Sequence, residues 1–327
     1  MHVTRARRQP AATRLALLLL AVACAAAAAL APGAAAAGGA AEDKIVYHDL
    51  DGNLFVMNAD GSGVTPLGRG HSPAWSPDAR KIAFADSPAD PEVTHIFSMN
   101  ADGTGRLRLS EGPQDTHPSY SPDGRRIVFV GERQGASPRA GGEVARRLYV
   151  MNADGSNERR LFDSGLRAET VPAFSPDGRG IAFVGQTLSA AGKIEYNVYV
   201  VKADGTGMRQ LTRGLQLDPG DTLAFSPDGR KVIYTHGRDL MAVNADGTGR
   251  PANLTNSADR EEYGPAYSPG GNKIACAASL FDPAAPDGIY VMNLADRSVV
   301  YTNARGRNPR WMPKAAARQE LAQSRED

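Results

Sequence analysis

Cysteine is nearly missing from this chain of 327 residues: there are two, Cys24 and Cys276, in unlike settings. With so few, no disulfide framework holds the fold, and no cysteine cluster offers zinc-ligand spacing. An excess of charge of one sign is missing too, since 37 lysines and arginines face 36 aspartates and glutamates. That balance excludes a nucleic-acid binder working through a basic surface. Aromatics are only 6% of residues. No apolar run reaches the roughly 20 residues of a membrane-spanning helix. Catalytic signatures are absent as well: there is no G-x-S-x-G nucleophile elbow, no H-E-x-x-H zinc motif, and no glycine-rich phosphate loop opening a helix. No helical periodicity is found before Lys314.

What is present begins with an address. Arg5, Arg7, Arg8 and Arg14 form a basic segment, Leu15 to Leu30 is apolar, and Ala34 to Ala37 supplies small residues for cleavage. That order is the secretory signal pattern, so residues 1–37 are read as a signal peptide. Gln9-Pro10 follows Arg7-Arg8 where a twin-arginine signal wants an apolar pair. Ala21-Val22-Ala23-Cys24 has the form of a loose lipobox, and acylation of Cys24 is the one route by which membrane association is expected. Without the leader, 33 basic groups face 36 acidic ones, so the exported part is mildly acidic. The expected location is secreted, periplasmic or otherwise in the cell envelope, and the high Ala, Arg and Gly content suggests a bacterial source. Cys276, in the apolar run Lys273 to Ala277, reads as a buried, inert thiol.

Glycine (35) and proline (22) are plentiful and are spaced. One phrase is aromatic-Ser-Pro-Asp-Gly: Trp75 to Ala79, Tyr120 to Gly124, Phe174 to Gly178, Phe225 to Gly229 and, altered, Tyr267 to Gly271. The other is Asn-Ala-Asp-Gly: Asn58 to Gly61, Asn100 to Gly103, Asn152 to Gly155, Lys202 to Gly205, Asn244 to Gly247, and a worn copy at Asn293 to Asp296. The period of about 42–54 residues marks a repeat architecture. Proline presets the first central φ of a type I turn, and glycine takes the left-handed position that follows. In the second phrase the Asn is expected to accept the local backbone bond. Both turns are flanked by β-branched and aromatic runs such as Arg126 to Val130 and Leu148 to Met151.

Each repeat therefore predicts four antiparallel strands, A to D, and the chain predicts an all-β, six-bladed β-propeller over residues 44–313. The first strand, Lys44 to Tyr47, lacks its own A strand. Asn308-Pro309-Arg310-Trp311 echoes Ser72-Pro73-Ala74-Trp75, so the C-terminal strand should complete blade one and close the ring. Residues 314–327 read as a short helical or flexible tail.

These paired phrases resemble the PD40, or WD40-like, repeats of TolB-like six-bladed propellers, over about 270 residues. The resemblance implies the fold. The N-terminal α/β domain of TolB has no counterpart before Lys44, so no Tol–Pal role is carried over. Nor does the sequence hold the nucleophile motif of the peptidase domain found with some similar propellers.

Connectivity puts both repeated turns on one face, the bottom. The B–C loops and the starts of the A strands share the top. Candidate ligand-binding residues on the channel rim are His71, Asp115, His117, Glu169, Asp221, Glu262, Tyr263 and Arg307. Two readings of the acidic members stand: a funnel for a cationic group, peptide end or metal ion, or carboxylates that cap backbone amides and join blades. His48, His71, His95, His117 and His236 lie towards the same face. They raise the alternative of a divalent metal ion, held chiefly by His48, His71, His117 and His236, in a lyase or hydrolase acting on a polysaccharide or small molecule. Otherwise no cofactor is expected. The principal reading is a monomeric, non-catalytic binding or scaffold module for a protein, peptide or envelope ligand. The B–C loop from Gly131 to Arg147, rich in arginine, is a further candidate contact.

Overall fold

Turn chemistry builds this fold. In Ser-Pro-Asp-Gly the serine hydroxyl donates to the aspartate at 2.5–2.6 Å, seen at Ser76, Ser121, Ser175 and Ser226. The same oxygen accepts the amide five residues on, at 2.8–3.0 Å, which sets the first residue of strand B. The position after Asp is left-handed throughout, and Ala79, the one non-glycine there, holds φ 57°. In Asn-Ala-Asp-Gly the cap differs from the expectation. The Asn carbonyl accepts from the turn glycine, but the side chain that accepts a backbone amide is that of Asp: Asp60, Asp102, Asp154, Asp204 and Asp246 each take the amide and hydroxyl of a Ser or Thr two residues on. The Asn side-chain amide donates to that same hydroxyl instead. An acceptor-only carboxylate two residues before a hydroxyl forms an Asx turn more readily than an amide four residues away. The glycine serves a second purpose in this turn. A Cβ on Gly61 would stand 2.3 Å from the Thr302 carbonyl of the neighbouring blade.

The computed structural model describes residues 43–133, 145–163, 166–168, 172–188, 192–213, 222–281 and 287–314. The leader (1–37), Cys24 and the tail after Lys314 lie outside the described residues, as do Glu169, Asp221 and most of the Gly131–Arg147 loop.

The strands form six antiparallel sheets. Blade 2 is His71–Trp75, Lys81–Asp86, His95–Asn100 and Leu107–Arg108, in spatial order. Blade 3 is Gln114–Tyr120, Arg126–Arg133, Ala145–Asn152 and Arg159–Arg160. In blade 4 the inner strand is split into Arg167–Ala168 and Ala173–Phe174, both paired to Gly180–Leu188, with Ile194–Lys202 and Arg209–Gln210 outside. Blades 5 and 6 repeat the plan from Leu223–Phe225 to Ala252–Asn253 and from Arg260–Tyr267 to Val299–Tyr301. No helix occurs among the described residues.

Blade 1 closes the ring. Its inner strand, Arg307–Trp311, pairs with Lys44–His48, followed by Asn53–Asn58 and Thr65–Arg69. The two tryptophans of the chain both sit at this seam. Trp311 Nε1 donates to the Ala266 carbonyl of blade 6 at 3.1 Å, and Trp75 Nε1 of blade 2 donates to the Arg310 carbonyl at 3.2 Å.

Apolar burial follows the same geometry. The six hydrophobic clusters each lie between two adjacent blades, and none is central. The seam cluster joins Ile45, Tyr47, Met57 and Trp311 to Ala275, Ile289 and Val291. Strand B of blade 2 is buried at every position after Lys81, because both of its faces meet a neighbour. Cys276 is likewise buried, between blades 5 and 6, and burial pushes its thiol pKa up.

Replacing Trp311 with Ala is expected to cost about 3–5 kcal/mol, since it removes a large buried ring. In a domain of this size that lowers Tm by roughly 10 °C. Deleting residues 305–327 should abolish the cooperative transition in scanning calorimetry. A truncated chain melting with the full-length protein would show that closure lies elsewhere.

Candidate functional site

The A strands enter the channel from the top through a shared irregularity. Three register shifts break the ladder there, between His71 and Ala74, Thr116 and Ser119, and Tyr263 and Ala266. At each break one residue is left-handed, and the same holds at the seam: Ser72 (φ 51°), His117 (57°), Gly264 (68°) and Asn308 (49°). Proline follows each of them. Proline disfavours helical backbone in the preceding residue, so this conformation is held by the surrounding sheet. Bulges of this kind bend a strand and re-aim its side chains.

His48, His71 and His117 are brought together on blades 1, 2 and 3. The rings of His48 and His71 are 6.2 Å apart between centroids. The Ser72 amide points at His48 Nδ1 at 3.4 Å, which fits a neutral ring protonated at Nε2. His71 Nδ1 meets Ser72 Oγ, and His117 Nδ1 meets Thr116 Oγ1 at 3.0 Å. Burial, then His71 and Arg307, holds His48 down to about 3. Burial, then His71, His48, Arg310 and Arg146, holds His117 down to about 3. His71 is lowered by burial, with Asp86 pulling the other way. Tyr263 and Arg307 flank the group, the guanidinium lying 5.3 Å from the ring centroid, and Tyr263 Oη bonds Ser279. His95 and His236 do not join this cluster; His236 ends a strand of blade 5. Among the described residues no three His, Cys, Asp or Glu side chains are placed to share a metal ion.

The described rim carboxylates turn away from the bore. Asp115, wholly buried, accepts from Arg133 at 2.5 Å and from the Gly112 amide at 3.0 Å. Glu262, also wholly buried, accepts from Arg260 at 2.9 Å and from Ser257 at 2.6 Å. Each arginine also lies over an aromatic ring, Arg133 on Tyr149 and Arg260 on Tyr290. Asp115 ties strand A of blade 3 to its strand B through Arg133, whereas the partners of Glu262 come from its own strand and the segment just before it. Their surroundings are matched: Asp115 sits across from Gly131, where a Cβ would meet its carboxylate at 2.7 Å. Glu169 and Asp221 lie outside the described residues.

One lining residue was not among the expected ones. Arg310 projects into the bore from the closing strand and borders a cavity of 230 Å³ with Trp75, Tyr120, Phe174 and Trp311. Desolvation by the channel walls holds its pKa down to about 10. The signal for it lies in the repeat: the same register position holds Ala74, Ser119, Ala173, Ala224 and Ala266 in the other blades.

With six four-stranded blades and a closed seam, the fold is a six-bladed β-propeller like that of TolB. No family model matches the chain. Among solved structures, TolB from Acinetobacter baumannii superposes with a TM-score of 0.63 at 21% identity, covering 83% of this chain and 67% of that one. A TolB homolog from Chlorobium luteolum is 42% identical over 146 residues, 44% of this chain and 29% of that protein. An uncharacterized peptidase of Bacillus subtilis, YuxL, is 25% identical over 231 residues, 67% of this chain and 31% of that protein. The chain thus spans about a third of these curated relatives.

Two outcomes follow from the site. Asp115→Asn should cost roughly 2–4 kcal/mol, read by denaturant unfolding, because a buried partner of Arg133 loses its charge. An unchanged midpoint would free Asp115 from a structural role. The histidines make stability depend on pH. In the unfolded chain they titrate near 6.5, and in the fold His48 and His117 titrate at about 3. The unfolded state therefore holds more protons between those values, and stability is full above about pH 6.5 and falls as pH drops. His117→Gln should flatten the slope of Tm between about pH 6.5 and pH 4; a slope unchanged by the substitution would place its origin in other groups.

Proposed function

We propose that this chain is an exported, non-catalytic binding propeller of the cell envelope or extracellular space. It acts as a monomer and takes a protein or peptide ligand at the top mouth of its channel. The observation that carries this reading is the convergence there of His48, His71, His117, Tyr263 and Arg307, at bulges whose left-handed residues are Ser72, His117, Gly264 and Asn308. Strained backbone held in place by a rigid scaffold is a feature of binding and catalytic sites. Export is supported by the N-terminal pattern, with Cys24 as the point of any lipid anchor. Among the described residues no helix is long and apolar enough to cross a membrane.

The metal-assisted lyase or hydrolase has less behind it. His48 and His71 are neighbours, but His236 stands on another part of the ring and no third ligand completes a site among the described residues.

Photocrosslinking separates the faces. A benzoylphenylalanine at position 71 of the exported protein should capture ligand in extracytoplasmic fractions. The same group at position 154, in a bottom turn that does not border the channel cavity, should not. Capture from the bottom alone would overturn the assignment of the face, and crosslinks competed away by zinc or manganese ions would favour the metal reading.

A further inference from the structure

Among the described residues, the groups facing the bore carry the opposite sign to the one its acidic rim residues suggest. The described carboxylates at the rim, Asp115 and Glu262, are consumed by Arg133 and Arg260 inside their blades. Among the described residues, the charged group facing the channel is Arg310, with three imidazoles above it and Arg307 at the mouth. Five blades keep the position of Arg310 small, as Ala or Ser, and the sixth places a guanidinium there. A departure from an otherwise consistent repeat, made at a cost in desolvation, is where function is expected. Arg310 donates to the Pro309 carbonyl at 3.2 Å, and among the described residues no carboxylate lies within ion-pair distance of it. The guanidinium fork matches a planar carboxylate in two parallel hydrogen bonds. The cavity beside it, 230 Å³, lies towards the Ser-Pro-Asp-Gly end of the inner strands, bordered by the rings of Trp75, Tyr120, Phe174 and Trp311 and by Pro176 and Pro313, so a ligand that enters past the histidines reaches it as the end of a chain, not as a folded surface.

We propose that the channel is an anion site that receives the C-terminal carboxylate of a peptide or protein, with Arg310 as its principal contact. This rests on the reading that ligand enters at the top mouth. The bound carboxylate is met by Arg310 and, as it neutralises their mutual repulsion, by His48, His71 and His117 in protonated form. The other charged groups around these rings are Asp49 and Asp86, which favour protonation, and Arg146 and Arg307, which oppose it. Binding therefore takes up protons and strengthens as pH falls.

Trp75 and Trp311 are the only tryptophans of the chain and both border the cavity, so intrinsic fluorescence reports on its occupancy. The probe is acetyl-trialanine with a free C-terminal carboxylate, set against its C-terminal amide and against inorganic phosphate. The free acid should shift the tryptophan emission, at least tenfold more tightly than the amide, and more tightly at about pH 5.5 than at about pH 7.5. Arg310→Gln should lose that binding by tenfold or more while its far-ultraviolet circular dichroism and Tm stay near those of the parent. Arg310→Lys should recover part of it. Glu169→Gln and Asp221→Asn should leave the affinity unchanged or raise it. Equal binding of acid and amide, no response to either, tighter binding of phosphate than of the peptide acid, or loss of binding on neutralising Glu169 and Asp221 would each overturn the proposal. Capture at position 71 that persists in Arg310→Gln would leave the top-mouth reading standing and remove the anion site alone.

Discussion

Everything in this molecule hangs on one strand pairing: Arg307–Trp311 hydrogen-bonded to Lys44–His48. A propeller blade has no face of its own that water tolerates. Each strand B here is apolar on both sides, and five of the six inter-blade clusters would exist in an open arc. The sixth forms only if the far end of the chain returns to the first sheet. The donation from Trp311 to Ala266 and from Trp75 to Arg310 locks the same seam from both neighbours. Large indoles stand where the chain is discontinuous, and Tyr or Phe serves where it is continuous.

The fold was legible because it is written in turns. Proline, aspartate and glycine at fixed offsets dictate local backbone regardless of the rest of the chain, and the turn phrases recur often enough to count blades. The closing strand was legible for the same reason, through its echo of Ser72 to Trp75. What the sequence hid was polarity. The carboxylates at the starts of the A strands look alike on paper, yet Asp115 and Glu262 each meet an arginine supplied by their own blade, from strand B in one case and from two residues upstream in the other. The Arg133–Asp115 pair spans 18 positions and carries no local signature, whereas Arg260 stands only two residues from Glu262. The histidines converge because a bulge before proline re-aims them, and only registry in three dimensions reveals that.

Arg310 was visible but silent. Its neighbours in the closing strand, proline and tryptophan, fit the repeat so well that the strand reads as one more copy. The informative quantity was the one position where the copy fails. In a repeat protein the regular residues account for folding, and the irregular ones at equivalent positions are what remains for recognition.

Placing the apolar clusters between blades has a bearing on how such a channel changes. The width of the bore is set by how many wedges complete the circle, and of the small residues level with Arg310 only Ala74 and Ser119 stand outside those clusters. Ala74 and Ser119 are therefore vacancies into which single larger side chains can be introduced, as at Arg310, with the supporting clusters left intact, whereas larger groups at Ala173, Ala224 or Ala266 would press on those clusters. Selectivity in the bore and integrity of the ring are, in this arrangement, separately adjustable properties of one chain.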